Sequence, residues 1–325
     1  MHYFIDTFGS KGLSSFDMPL RIKKLYGYPQ TVMREITEKL SQKAKENNIE
    51  TEIIHCFLNN SIKGVAFSEL NWCIMNIQPY EEIGLLGCLS SGYKEALKEL
   101  SDAKTHFESA LSVHDEWEKY YIENFDFAKL DKKCAELKTE IFEESTKSTE
   151  GKSIDRFLGA ATAFGAVDYI EDLTENINKR YFIKGRPGTG KSTFMKKIVK
   201  EANMRGYDTE CYHCAFDPKS LDMVIIRELS ICIFDSTAPH EHFPKEKRDE
   251  IIDFYDIGSK RDIDKVYKEE LSLIAAKYKE KIHNATDCIA RANNIFTLND
   301  KALEEKCDMK NILSITETLQ SEIFG

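Results

Sequence analysis

Gly185-Arg186-Pro187-Gly188-Thr189-Gly190-Lys191-Ser192-Thr193 follows directly on the apolar run Tyr181-Phe182-Ile183. It stands before Phe194, Met195, Ile198, Val199 and Ala202, which recur at helical spacing until Gly206. A strand, a glycine-rich turn and a helix in that order read as a phosphate-binding loop. Glycines let successive backbone N–H groups turn inward around an anion, and the helix N-terminus behind them favours negative charge. In this pattern the whole stretch Gly185 to Thr193 cradles phosphate, Lys191 reaches the β- and γ-phosphates, and the Ser192 hydroxyl takes one position on Mg2+.

A second motif lies downstream. Leu229-Ser230-Ile231-Cys232-Ile233-Phe234 is an apolar strand closing on Asp235, where a buried strand would deliver a carboxylate to the metal. The alternative is a strand-ending aspartate that opens the turn Ser236-Thr237-Ala238-Pro239. Another strand ends in His213-Cys214-Ala215-Phe216-Asp217-Pro218, which makes Asp217 a candidate for orienting the attacking water or an acceptor hydroxyl. A cap before Pro218 explains Asp217 equally well, and Asp222 and Glu228 stand behind it as further candidates.

The pair Cys211-x-x-Cys214, with His213 and His240 at hand, is not expected to hold a metal. Strand positions three apart face opposite ways, and no second cysteine pair follows at zinc-site spacing. His240 and His242 are expected to be solvent-exposed, with a place in the crevice as the alternative. For a transition-state arginine the sequence offers Arg186, Arg205, Arg227 and Arg248 without choosing among them, and another subunit could supply one instead.

The chain repeats itself. Residues 3–12 align without gaps on 156–165, so that Phe4 meets Phe157 and Gly12 meets Gly165. Ile54-His55-Cys56 matches Tyr212-His213-Cys214, residues 68–76 match 227–235, and residues 136–142 match 318–324. Two domains are therefore expected, 1–150 and 151–325, with the boundary in Ser145-Thr146-Lys147-Ser148-Thr149-Glu150-Gly151. Strands alternating with helices predict an α/β fold of two tandem units with mostly parallel sheets. Each would be followed by a long helical hairpin, given the stripes through Leu97, Leu100, Ala103, Phe107 and Trp117, and through Leu271, Ile274, Tyr278, Ile282 and Ile289.

The first copy should carry its loop at Leu25-Tyr26-Gly27-Tyr28-Pro29-Gln30-Thr31. That stretch has one glycine, no lysine in place, and tyrosines whose side chains would fill the anion's space. Asn76 stands where the second copy has Asp235, so the first half reads as a degenerate copy.

With 325 residues, a net charge of −10 and a pI near 5.5, broad binding to nucleic acid or to an anionic membrane is disfavoured. The absence of a long apolar run and the nine cysteines, mostly in apolar segments, predict a soluble cytoplasmic chain without disulfides.

These residues resemble a little-characterised family of bacterial tandem-duplicated P-loop ATPases. The resemblance spans essentially the entire chain and rests on Arg156 to Ala160, Lys184 to Thr193, Tyr212-His213-Cys214, Ser220-Leu221-Asp222 and Asp235 to His240. It implies ATP binding and hydrolysis, with Mg2+ as cofactor, and no established biological substrate. The second half is expected to carry Lys191, Asp217 and Asp235 in catalysis, with Ser192 and Asp235 on the metal. The alternatives are a small-molecule kinase, acting on an unknown acceptor, and a nucleotide-gated module that binds a protein partner without turnover.

Overall fold

The computed structural model describes residues 1–78, 81, 91–142, 147, 149–305 and 309–325. Positions 145, 146 and 148 of the expected boundary lie outside the described residues. The first half runs β1 (His2–Tyr3), β2 (Asp6–Gly9), β3 (Gly12–Ser15), β4 (Arg21–Tyr26), α1 (Gln30–Glu46), β5 (Glu52–His55), β6 (Ile62–Phe67), β7 (Trp72–Ile77), α2 (Ser91–Ile122) and α3 (Phe127–Ile141).

The second half runs β8 (Ser153–Phe157), β9 (Gly159–Thr162), β10 (Gly165–Asp168), α4 (Ile170–Leu173), β11 (Lys179–Lys184), α5 (Lys191–Met204), β12 (Thr209–His213), β13 (Leu221–Ile226) and β14 (Ile231–Asp235). It continues through β15 (Asp249–Asp253), α6 (Phe254–Gly258), α7 (Ile263–Val266), α8 (Lys268–Glu304) and α9 (Met309–Phe324). Among the described residues no helix is long and apolar enough to cross a membrane.

The chain is mixed α/β. One sheet has the order β1-β5-β6-β7-β4 and the other β15-β11-β14-β13-β12-β8, so that apart from β15 the two follow the same sequence of pairings. In both, a central antiparallel strand, β6 or β13, is flanked by parallel pairs. The apolar runs Gly64 to Phe67 and Met223 to Ile226 carry these two strands, which lie just upstream of the matched Glu-Leu strings. Finer details repeat as well. Leu25 pairs with Asn76 as Ile183 pairs with Asp235, and the register shifts between Ile54 and His55 as it does between Tyr212 and His213.

The halves meet along their sheet edges. Phe4 and Phe157 form an antiparallel bridge, Phe4 N donating to Phe157 O (3.0 Å) and Phe157 N to Phe4 O (2.8 Å). The hairpins β2–β3 and β9–β10 each reach across to the other half, where Ser10 N donates to Phe216 O (3.3 Å) and Ala163 N to Leu58 O (2.8 Å). Between the sheets lies one shared core, in which Tyr3, Ile54, Ala66 and Cys73 pack with Phe182, Tyr212, Met223 and Phe234.

The helices are exchanged. α1 packs its buried stripe of Val32, Met33, Ile36 and Leu40 against β6 and β7, and Ile312, Leu319 and Ile323 of α9 complete that cluster from the far end of the chain. α5 packs Phe194, Met195 and Ile198 against the other sheet together with Leu130, Cys134 and Leu137 of α3. Each half's last helix thus covers the other half.

The long helices do not fold back on their successors as hairpins. α2 lies along α8 instead, with Ala103, Phe107, Ala285, Cys288, Ile289 and Ala292 in one buried cluster. The alanines let the two backbones approach, and a stripe read along one helix does not say which helix it will meet.

Candidate functional site

β11 ends at Lys184, and the chain turns through the quoted loop into α5. Gly188 and Gly190 have φ of +74° and +87°, backbone that side-chain-bearing residues rarely adopt. A Cβ on Gly185 would lie 2.7 Å from Thr189 Oγ1, and that hydroxyl donates to Arg186 O at 2.7 Å, tying the turn. Behind the loop, the first-turn amides of α5 have no acceptor within the helix. Gly190 occupies the N-cap without a side chain to satisfy them.

Lys191 Nζ donates to Arg186 O (3.0 Å) and lies 3.6 Å from Asp235 Oδ2. The proximity follows from the sheet: β14 runs parallel beside β11 with Asp235 opposite Ile183, so both strands deliver their C-terminal ends to one place. Asp235 has the contacts of the turn-opening aspartate, with its other oxygen turned to Lys191. Oδ1 accepts from Thr237 N (3.1 Å) and Oγ1 (2.6 Å), opening the turn, while Oδ2 faces Lys191. Ser192 Oγ accepts from Leu221 N at 2.9 Å, and Thr193 is exposed on the next step of α5.

Of the other expected residues, Asp217 has the contacts of a turn cap, accepting from Lys219 N (3.4 Å) and Ser220 Oγ (3.1 Å). Asp222 is the acid more closely bound up with Lys191 and Asp235. Burial and then the charge of Asp235 push its carboxyl up to about 6, against the pull of His240 and Lys191. Glu228 pairs with Lys147 at the surface.

His240 and His242 are not free in solvent. Their rings converge on Asp168, His240 Nδ1 at 3.0 Å from Oδ2 and His242 Nε2 at 3.1 Å from Oδ1. Burial works to raise the Asp168 carboxyl, but these two hydrogen bonds hold it well below the usual carboxylate range.

The four arginines are engaged. Arg186 pairs with Asp264 (Nη2 at 2.8 Å) and Arg227 with Glu210 (Nε at 2.8 Å), Arg205 donates to Phe142 O (2.9 Å), and Arg248 to Ile177 O (2.6 Å).

The histidines of the recurring His-Cys pairs make matching contacts. His213 Nδ1 meets Pro218 O at 2.7 Å, and at the matching place His55 Nδ1 meets Asn60 O at 3.0 Å, so each ring closes the loop after its strand. Burial pushes the Cys211 thiol up to about 11 and raises that of Cys214 as well, which disfavours the thiolates that a metal would need.

One contribution was hidden in the sequence. α2, from the first half, crosses the loop between β11 and α5. Gly188 N donates to Glu118 Oε1 at 3.1 Å, and a Cβ on Gly188 would come within 2.9 Å of Glu118 O. His114 lies 3.8 Å from the same carboxylate. Its ring sits beside Phe216 and Tyr278, with centroids 6.2 and 5.9 Å away, and Trp117 is 5.9 Å from Tyr278. The spacing His114-x-x-Trp117-Glu118 marks one polar and aromatic helix face, the only local sign of this role.

In the first half the corresponding turn is closed by its own side chains. Asn76 Nδ2 donates to Tyr28 O (2.7 Å), Tyr28 N donates to Asn76 Oδ1 (3.1 Å), and Gln78 Nε2 donates to Tyr28 O (3.3 Å). Closure comes from Asn76 and Gln78; the Tyr26 ring is 53% exposed, and the Tyr28 ring packs against the core under α1. Lys63, at the register position of Asp222, is buried in an ion triad with Asp6 and Glu81. No protein-family model matches the chain, no curated protein matches it, and no solved structure matches it.

Proposed function

We propose that residues 152–325 bind Mg-ATP and hydrolyse it, within a chain of two tandem P-loop NTPase-like units of which residues 1–150 are the inactive copy. The reading is carried by one observation, Lys191 Nζ lying 3.6 Å from Asp235 Oδ2 where two adjacent parallel strands end. The residues fit a nucleotide and its metal: positive φ at Gly188 and Gly190, a helix start without internal acceptors, a lysine at its first position, and a hydroxyl and a carboxylate beside it.

In this scheme the amides from Gly185 to Thr193 hold phosphate oxygens and Lys191 neutralises charge that develops in transfer. Ser192 and Asp235 would hold Mg2+, which when bound draws charge from the phosphates. Asp217 orients the attacking water only by giving up its turn contacts, whereas Asp222 already stands with Asp235. Steady-state phosphate release tests the reading, with loss expected in Lys191→Ala and equal rates in the two proteins refuting it.

A nucleotide-gated module without turnover is the second reading, favoured by the commitment of Asp217 to Ser220 and Lys219. Tight ATP binding with negligible phosphate release would select it. A kinase is less well supported, because Arg291 pairs with Glu99, Arg248 with backbone carbonyls and Arg261 with Tyr267. These engagements leave none of the three for an acceptor.

A further inference from the structure

The contact between Glu118 and the phosphate loop has a counterpart in the other half. Gln30, the first residue of α1, lies beside Asp300 of α8, the two lining one cavity. Counting back from the matched ends of the two halves, residues 136–142 against 318–324, places Glu118 opposite Asp300. Each long helix thus brings a carboxylate to the helix start of the half to which it does not belong, and Glu118 hydrogen-bonds an amide there.

In the second half that amide, Gly188 N, sits in the middle of the phosphate loop. A carboxylate oxygen and a phosphate oxygen ask the same thing of an N–H group, and two anions do not share one donor. Glu118 is free enough to leave: its side chain is 33% exposed and, among the described residues, no lysine or arginine pairs with it; His114 lies 3.8 Å away, its ring held toward the neutral form by burial.

We propose that Glu118 is a built-in competitor for the phosphate loop. It occupies the Gly188 amide in the nucleotide-free chain and is displaced by the phosphate tail, so that nucleotide binding is read directly by the α2–α8 pair. The inference rests on the nucleotide reading above and adds to it how the site is regulated and which helix reports its occupancy.

Binding of MgATP, inorganic pyrophosphate and adenosine is to be measured calorimetrically on the full chain. The proteins are wild type, Glu118→Gln, Glu118→Asp, the exposed α2 control Glu116→Gln, and Lys191→Ala. Both Glu118 variants are expected to bind MgATP and pyrophosphate about tenfold more tightly than wild type, the scale of one charge-assisted hydrogen bond. Adenosine binding and the Glu116→Gln control should be unchanged.

Aspartate keeps the charge but shortens the reach, so it supports the proposal even if the glutamine variant folds poorly. Equal or weaker phosphate binding in both Glu118 variants, with binding lost in Lys191→Ala, overturns the inference and leaves the nucleotide reading standing. Absence of MgATP and pyrophosphate binding in every protein overturns both.

Discussion

Phe4 and Phe157, equivalent positions in the two halves, hydrogen-bond to each other in both directions, at 3.0 and 2.8 Å. Equivalent residues can satisfy one another in this way only across a local two-fold axis. The reciprocal reach of the two hairpins, Ser10 to Phe216 and Ala163 to Leu58, obeys the same symmetry.

The exchange of α3 and α9 leads to the first prediction. A fragment of residues 1–150 lacks Leu319 and Ile323 over α1, and a fragment of residues 151–325 lacks Leu130 and Leu137 over α5. Uncovering those faces returns several buried side chains to water, at about 1.5–3 kcal/mol each. Each fragment alone should therefore give poor amide dispersion in NMR spectra. Co-expressed, the two should form a folded one-to-one complex, and independent folding of either would contradict the exchange.

Removing the carboxylate at the end of β14 should separate binding from chemistry. Asp235→Asn is expected to keep most of its affinity for ATP, because the amides and Lys191 remain. Mg2+-dependent phosphate release should fall by about 100-fold or more, the usual scale for loss of one preorganised charge in a transfer site. Single-turnover hydrolysis at saturating Mg2+ measures this.

Asn76→Asp tests the closure of the first half. The change restores the residue type of Asp235 but removes the donor to Tyr28 O and sets a carboxylate oxygen against a carbonyl. A loss of about 1–3 kcal/mol is expected in urea unfolding, with no gain of pyrophosphate binding. The turn between β4 and α1 would still lack its glycines and lysine.

The pair His2 and His55 makes stability depend on pH. Burial is the largest influence on both rings, and it lowers His55 to about 4 from an ordinary value near 6.5, with the neighbouring His2 adding to the effect. The ring Nδ1 of His2 lies 2.8 Å from Nε2 of His55. The fold binds fewer protons here than the unfolded chain does, so this contribution is present above pH 6.5 and is lost as pH falls toward 4. At pH 5 the His55 share amounts to about 2 kcal/mol. Urea unfolding at pH 7 and pH 5 should show that part of the difference vanish in His55→Gln.

What could be read from the chain was what the chain encodes locally. The loop from Gly185 to Thr193 shows itself because glycines, lysine and the flanking strand and helix are contiguous, and the repeat shows itself because Phe4 and Phe157 sit in strings that align without gaps. β6 and β13 escaped notice, being short apolar runs next to stronger signals. The exchange of α3 and α9, the Asp168 hold on His240 and His242, and the placing of Glu118 on Gly188 are contacts between distant segments. Nothing in the periodicity of a helix names its partner.

A surface that mates with its own equivalent, and a last helix that is handed across, are what two separate identical subunits need to close as a dimer. In one continuous polypeptide the same arrangement removes any need for the sides to stay alike. Scaffold duties still bind both, since each shelters the other's interior. In the function proposed here chemistry binds only one, so that Tyr28-Pro29-Gln30 can stand where a working loop would be without loosening the assembly around it.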